Sequence, residues 1–139
     1  MIKAYVDAAT KGNPGPSGGG FTLVTNQQQI QKHFPLPELS NHQAEFLALI
    51  TLLDYLIEQH LTNETVMVYS DSKVLIQAID KNYTNNPDFI TYLATIKEQI
   101  FAFSLIIFQW IPEKQNKGAD HLARQGLQKA LKTPKKNRT

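Results

Sequence analysis

The 139-residue chain contains no cysteine, which excludes a disulfide-stapled fold and any thiolate metal site and agrees with a reducing compartment. No apolar run approaches the roughly 20 residues that a membrane-spanning helix requires. A charged and then apolar leader is also missing from the start, because Asp7 and a glycine loop arrive too soon. A cytoplasmic protein without membrane contact is therefore expected, and a monomer. Cations are scarce outside one stretch. Residues 129–139 hold Lys129, Lys132, Lys135, Lys136 and Arg138, five of the 14 basic residues, and no acid. The nine others face 12 acids, so the rest of the chain carries −3 although the whole carries +2. The expected organisation is one domain over residues 1–131 and a basic tail over 132–139, which either meets nucleic-acid phosphates or, with Thr133-Pro134 in it, is a solvated terminus.

The chain opens with a short β-branched and aromatic strand, Ile2 to Val6, that delivers Asp7 into a turn-rich loop, Gly12-Asn13-Pro14-Gly15-Pro16. Aspartate is a poor strand former and costly to bury unpaired, so a charge here calls for a use. Gly18 to Val24 and Gln28 to Phe34 read as a hairpin around Asn26-Gln27. Pro35 and Pro37 are expected to end the sheet run. Ser40 and Gln43 have the spacing of a capping box, opening an apolar helix that reaches about His60 with Glu45 in its first turn. Thr65 to Ser70 has the pattern of a buried strand and ends at Asp71, repeating the arrangement of Asp7. A short helix is expected over Ser72 to Ile79, a loop over Lys81 to Asn86, and a helix from Pro87 to about Ala102. A fifth strand spans Leu105 to Ile111, a polar loop Glu113 to Gly118, and a terminal amphipathic helix follows to Leu131 with Asp120 in its first turn.

Asp7, Glu45, Asp71 and Asp120 thus stand at element boundaries. A single acid near a helix start is explained by the helix dipole alone. Four at buried junctions are not, since clustered carboxylates raise one another's pKa unless a cation compensates them. Oxygen ligands without thiolates select Mg²⁺ or Mn²⁺.

Four segments carry a family resemblance: Tyr5-Val6-Asp7 with Gly12-Asn13-Pro14-Gly15-Pro16, Ser40-Asn41-His42-Gln43-Ala44-Glu45, Tyr69-Ser70-Asp71-Ser72, and Gly118-Ala119-Asp120-His121-Leu122-Ala123-Arg124. In this order, from Ile2 to about Leu131, the chain resembles the type I ribonuclease H family. The resemblance implies an α/β fold with a mixed five-stranded sheet, three antiparallel strands first, flanked by helices. It implies cleavage of the RNA strand of an RNA/DNA hybrid with two divalent ions, Mg²⁺ or Mn²⁺, about 3.5–4 Å apart. Asp7, Glu45, Asp71 and Asp120 match the family's four carboxylates. Asp7 would bridge the ions, with Asp71 and Asp120 on the nucleophile side and Glu45 on the other, near a ribose 2′-OH. Gly12, Asn13, Ser40, Asn41, His42 and Lys73 would line the hybrid groove.

The chain departs from the family in three places. Ala8-Ala9 stands where Gly-Ser is common, and the Glu113–Gly118 loop lacks the histidine of many bacterial members, leaving Glu113 or His121 as replacements. The segment from Lys81 to Asp88 is too short for a Trp- and Lys-rich handle that grips hybrid. Two other readings compete: a noncatalytic nucleic-acid-binding module of the same fold, and a glycosidase, which would need only two carboxylates and no metal.

Overall fold

The computed structural model describes residues 1–132; the expected tail, apart from Lys132, lies outside the described residues. Five strands form one sheet in the order β3-β2-β1-β4-β5: β1 Ile2–Thr10, β2 Gly15–Val24, β3 Gln29–Leu39, β4 Thr65–Ser70 and β5 Leu105–Trp110. The first three are antiparallel neighbours, and β4 and β5 run parallel to β1. The helices are α1 Asn41–Glu58, α2 Lys73–Lys81, α3 Pro87–Ile100 and α4 Lys117–Lys132, the last preceded by a single 3-10 turn at Glu113–Gln115. The expected mixed five-stranded α/β architecture is the one observed.

Side chains alternate across the sheet, and this separates its two faces. Ile2, Ala4 and Val6 of β1 are buried with Phe21, Leu23, Val66 and Val68, and Phe21 meets Tyr55 of α1 at 5.3 Å between ring centroids. On this face α1 buries Ala44, Phe46, Ala48, Leu49, Leu52, Leu53 and Leu56, each large aliphatic side chain contributing about 1.5–3 kcal/mol. Phe46 stacks on Phe89 of α3 at 4.8 Å, and Gln99 donates to the Ile50 carbonyl and to Asp54. The opposite face of β1, β2 and β3 is covered by α4.

That helix lies almost directly on the backbone of β2. A Cβ added to Gly18 would stand 2.0 Å from the Leu127 nitrogen, and one on Gly20 would stand 2.5 Å from the Leu122 Cβ. A Cβ on Gly126 would meet the carbonyl oxygens of Phe34 and Gly19 at 2.4 and 2.7 Å. The Gly18–Gly20 run is thus a seat for a helix, and because Gly20 pairs with Asp7 it sets the start of α4 over Asp7.

Several boundaries differ from those expected. The strand carrying Asp7 continues to Thr10, because β2 supplies partners as far as Ser17 for Thr10. On its other side the pairing with β4 ends at Tyr5 and Tyr69, so Asp7 lies just past the end of the parallel pair although inside a strand. The Gly12–Pro16 loop is shortened by β2, which begins at Gly15. Pro35 and Pro37 do not end β3, which runs to Leu39. β3 is an edge strand, where a missing N–H on the open side removes no ladder bond. Residues 117 and 118, expected in a loop, begin the first turn of α4, which extends to Lys132.

Candidate active site

Asp7 is half-buried beneath the start of α4, and its carboxylate accepts from the Ala8 N–H. Burial, then the charge of Asp71, then those of Asp120 and Glu45 push its pKa from 3.8 up to about 8, against the opposing Ala8 hydrogen bond. Asp71 follows the last residue of β4. Burial raises its pKa first, the Asn116 hydrogen bond opposes, and the charges of Glu45, Glu113 and Asp120 raise it further. Glu45 and Asp120 therefore lie within electrostatic reach of both Asp7 and Asp71.

Each arrives from a different element. Glu45 is carried by α1, whose start is closed by the capping box expected from sequence: the Ser40 hydroxyl accepts from the Gln43 N–H at 3.2 Å and the Ser40 N–H donates to the Gln43 side chain at 3.0 Å. Counting from Asn41, Glu45 opens the second turn and not the first, so the helix start alone does not account for its presence. Asp120 lies in the first turn of α4, as expected. Glu45 is held by the His42 ring at 2.7 Å, and Asp120 by Arg124 one turn on, at 3.2 Å. Among the described residues, Asp7 and Asp71 have no ion-pair partner.

The rim residues divide between two sides. The Asn13 Oδ1 accepts from the Asn41 N–H at 3.0 Å, so the glycine loop is tied to the start of α1 and brings Gly12, Asn13, Ser40, Asn41 and His42 to one rim. Gly12 has a φ of +88°, a conformation that favours glycine. Lys73 is on the other side, its Nζ 5.1 Å from the Trp110 ring centroid, while the Trp110 indole donates to the Asp71 carbonyl at 3.0 Å.

Asn116 was missed as a site residue. It is 1% exposed, its Nδ2 donates to the Val6 carbonyl at 3.0 Å and to the Asp71 Oδ2 at 3.4 Å, and its own carbonyl accepts from the Asp120 N–H. The side-chain amide thus ties the neighbour of Asp7 to the side chain of Asp71, and the backbone carbonyl of the same residue receives the turn that carries Asp120. A polar residue four positions before Asp120 was the only sequence signal. Of the two candidates for the absent loop histidine, Glu113 acts electrostatically on Asp71, whereas His121 is exposed and engages Gln125 at 3.2 Å.

The donor set fits a hard divalent cation. It consists of carboxylate oxygens, two of which lack a counter-charge and resist ionising together. Among the described residues no three acidic or imidazole groups are closed into a ready coordination shell; Glu45 contacts His42 and Asp120 contacts Arg124. The expected convergence is therefore electrostatic and does not extend to a preformed cage.

A family model described as reverse transcriptase-like matches residues 5–126. The Enterococcus faecalis protein EbsB, whose name claims no more than a hydrolase, is 50% identical over 129 residues, covering 93% of this chain and 96% of that protein. Ribonuclease HI of Halobacterium salinarum is 28% identical over 132 residues, covering 93% of this chain and 65% of its own length. The crystal structure of RNase H1 from that archaeon matches with a TM-score of 0.84 at 27% identity, over 93% of this chain and 98% of the other. LC11-RNase H1, solved in complex with an RNA/DNA hybrid, matches with a TM-score of 0.86 at 27% identity, over 94% and 99%. The fold and the site define a ribonuclease H-like protein, and the chain belongs to the type I ribonuclease H family.

Proposed function

We propose that this protein is a metal-dependent endonuclease that hydrolyses the RNA strand of RNA/DNA hybrids. The observation that carries the reading is the pair Asp7 and Asp71, half-buried together with two further acids and, among the described residues, without an ion-pair partner. A fold gains nothing from such an arrangement, and its electrostatic cost is lifted when a cation binds. In this reading Asp7, Glu45, Asp71 and Asp120 hold two Mg²⁺ or Mn²⁺ ions, whose chemistry is to acidify a water and neutralise the departing 3′ oxygen.

The chain's own residues supply orientation. Asn116 fixes the Asp71 carboxylate and anchors the α4 start to β1, so the acids from β1, β4 and α4 keep a common geometry. The His42 contact holds Glu45 at the rim formed by Asn13, Ser40 and Asn41. Glu45 is there placed to meet a ribose 2′-OH, the group that marks the RNA strand. Gly12, Asn13, Ser40, Asn41 and His42 would receive one strand of the hybrid and Lys73 the other. Glu113 is the group available to take a proton where the family's loop histidine is absent.

The test is cleavage of labelled RNA/DNA hybrid, double-stranded RNA and double-stranded DNA, each with Mg²⁺, Mn²⁺ or EDTA. Cleavage of the RNA strand of the hybrid alone, lost in EDTA, is expected. Hybrid binding without turnover in either metal would replace the proposal by a noncatalytic binding module. EDTA-resistant hydrolysis would remove the metal from it.

A further inference from the structure

The body of the chain is net negative and lacks a basic handle, yet its substrate would be a polyanion. Resting on the function proposed above, we infer that a groove formed by the Glu113–Gln115 turn and the first two turns of α4 binds the phosphates of the RNA strand beside the acids. The groove is lined by Glu113, Lys114, Lys117, Asp120, His121 and Arg124. Three of the nine cations that precede residue 129 thus lie along one depression, and Asp120 is part of its wall.

Two features separate this groove from an ordinary solvated surface. Lys114 and Lys117 are exposed, and among the described residues neither ammonium is paired with a carboxylate, although Glu113 and Asp120 line the same depression. Arg124 alone is committed, to Asp120 at 3.2 Å. The groove holds three cations against two acids, and neutralisation of Asp120 by a bound cation would leave it more positive. The second feature is position. Asn116, between the two lysines in sequence, is the residue locked to Val6 and Asp71. Lys114 and Lys117 are therefore held in register with the acids by a buried anchor two and one residues away.

The strand assignment follows from the layout. The rim at the glycine loop and the start of α1 would receive one strand of the hybrid, while this groove adjoins Asp120. A strand crossing the acids passes into it, and that strand is the one cut. Ammonium groups suit this role because they contact phosphate as point charges and read no base.

The experiment is a salt series of hybrid binding and steady-state cleavage for the full chain, for Lys114→Gln/Lys117→Gln, and for Lys32→Gln/Lys97→Gln as the control. The control lysines belong to the α1–α3 side of the sheet. Each phosphate contact contributes about 0.9 to the slope of log K against log salt on B-form duplex. The groove variant should lose between one and two from that slope and raise KM on the order of tenfold at low salt, with kcat at saturation within about twofold. The control should match the parent. A hybrid made with uncharged methylphosphonate linkages in the RNA strand flanking the cut should weaken the parent and leave the groove variant little changed. Equal slopes for the groove and control variants, or an equal response to linkages placed in the DNA strand, would overturn the inference. If the parent neither binds nor cuts hybrid, the function itself fails and the groove falls with it; if the parent cuts hybrid and the groove variant is unaltered, the groove alone is wrong.

Discussion

Asp7→Asn should stabilise the metal-free protein, increasingly so as pH rises. In the folded chain the Asp7 carboxyl is pushed from 3.8 to about 8, whereas in the unfolded chain it ionises near its ordinary value. Between those two pH values the native state binds more protons than the unfolded state, so stability falls as pH rises. The proton's contribution is complete below about pH 4 and lost once pH passes about 8. Each pH unit is worth about 1.4 kcal/mol, so the full swing is on the order of 5 kcal/mol, and solvent reaching this half-buried group reduces it to roughly 2–4 kcal/mol. Asparagine stays neutral at every pH and can still accept from the Ala8 N–H. Thermal unfolding in EDTA from pH 4 to 9 should show parent and variant close at pH 4 and separating to about 10 °C at pH 9. Mg²⁺ should raise the parent's Tm at pH 9 and narrow the gap. A gap that does not change with pH, or a variant less stable than the parent above pH 8, would refute the electrostatic account of the site.

Gly18→Ala should destabilise the fold by about 3 kcal/mol or more, since its Cβ would meet the Leu127 nitrogen at 2.0 Å; denaturant unfolding measures this, and a neutral result would mean α4 is not seated as described. Asn116→Ala leaves the Val6 carbonyl without its partner and should cost about 1–3 kcal/mol. It should also lower kcat on hybrid more than it raises KM, and an unchanged kcat would remove Asn116 from the positioning of Asp71. Deleting residues 134–139 removes Lys135, Lys136 and Arg138 and should make the salt dependence of hybrid binding shallower, with kcat at saturation unchanged. Identical slopes would leave the tail without a part in capture.

The element order and the four acids were legible because each acid sits where an apolar pattern stops, and because a strand such as Thr65–Ser70 and a capping box such as Ser40–Gln43 are written locally. What failed to show locally was set by partners distant in the chain. Pro35 and Pro37 look like strand breakers, and only the position of β3 at the sheet edge makes them harmless. Asp7 looks like a strand end because the β4 side of β1 does stop there, while the β2 side continues to Thr10. The Gly18–Gly20 run reads as weak strand, and its use appears only when Gly126 arrives from more than 100 residues away. Asn116 reads as a loop residue because its bond to Val6 spans 110 positions. The cationic groove is local in sequence but was hidden because Lys117 and Gly118 read as loop, and only a helix starting at Lys117 puts Lys114, Lys117 and Arg124 along one depression.

The metal-holding role of the four acids is tested most sharply by the rate of RNA-strand cleavage in an RNA/DNA hybrid by the parent and by Asp71→Asn at saturating Mg²⁺ or Mn²⁺, with thermal unfolding of both chains in EDTA. Asp71 has no ion-pair partner among the described residues, and removing its charge relieves repulsion with Glu45, Glu113 and Asp120. The variant should lose cleavage in both metals and melt no lower than the parent. A variant that cuts hybrid as fast as the parent would contradict that role.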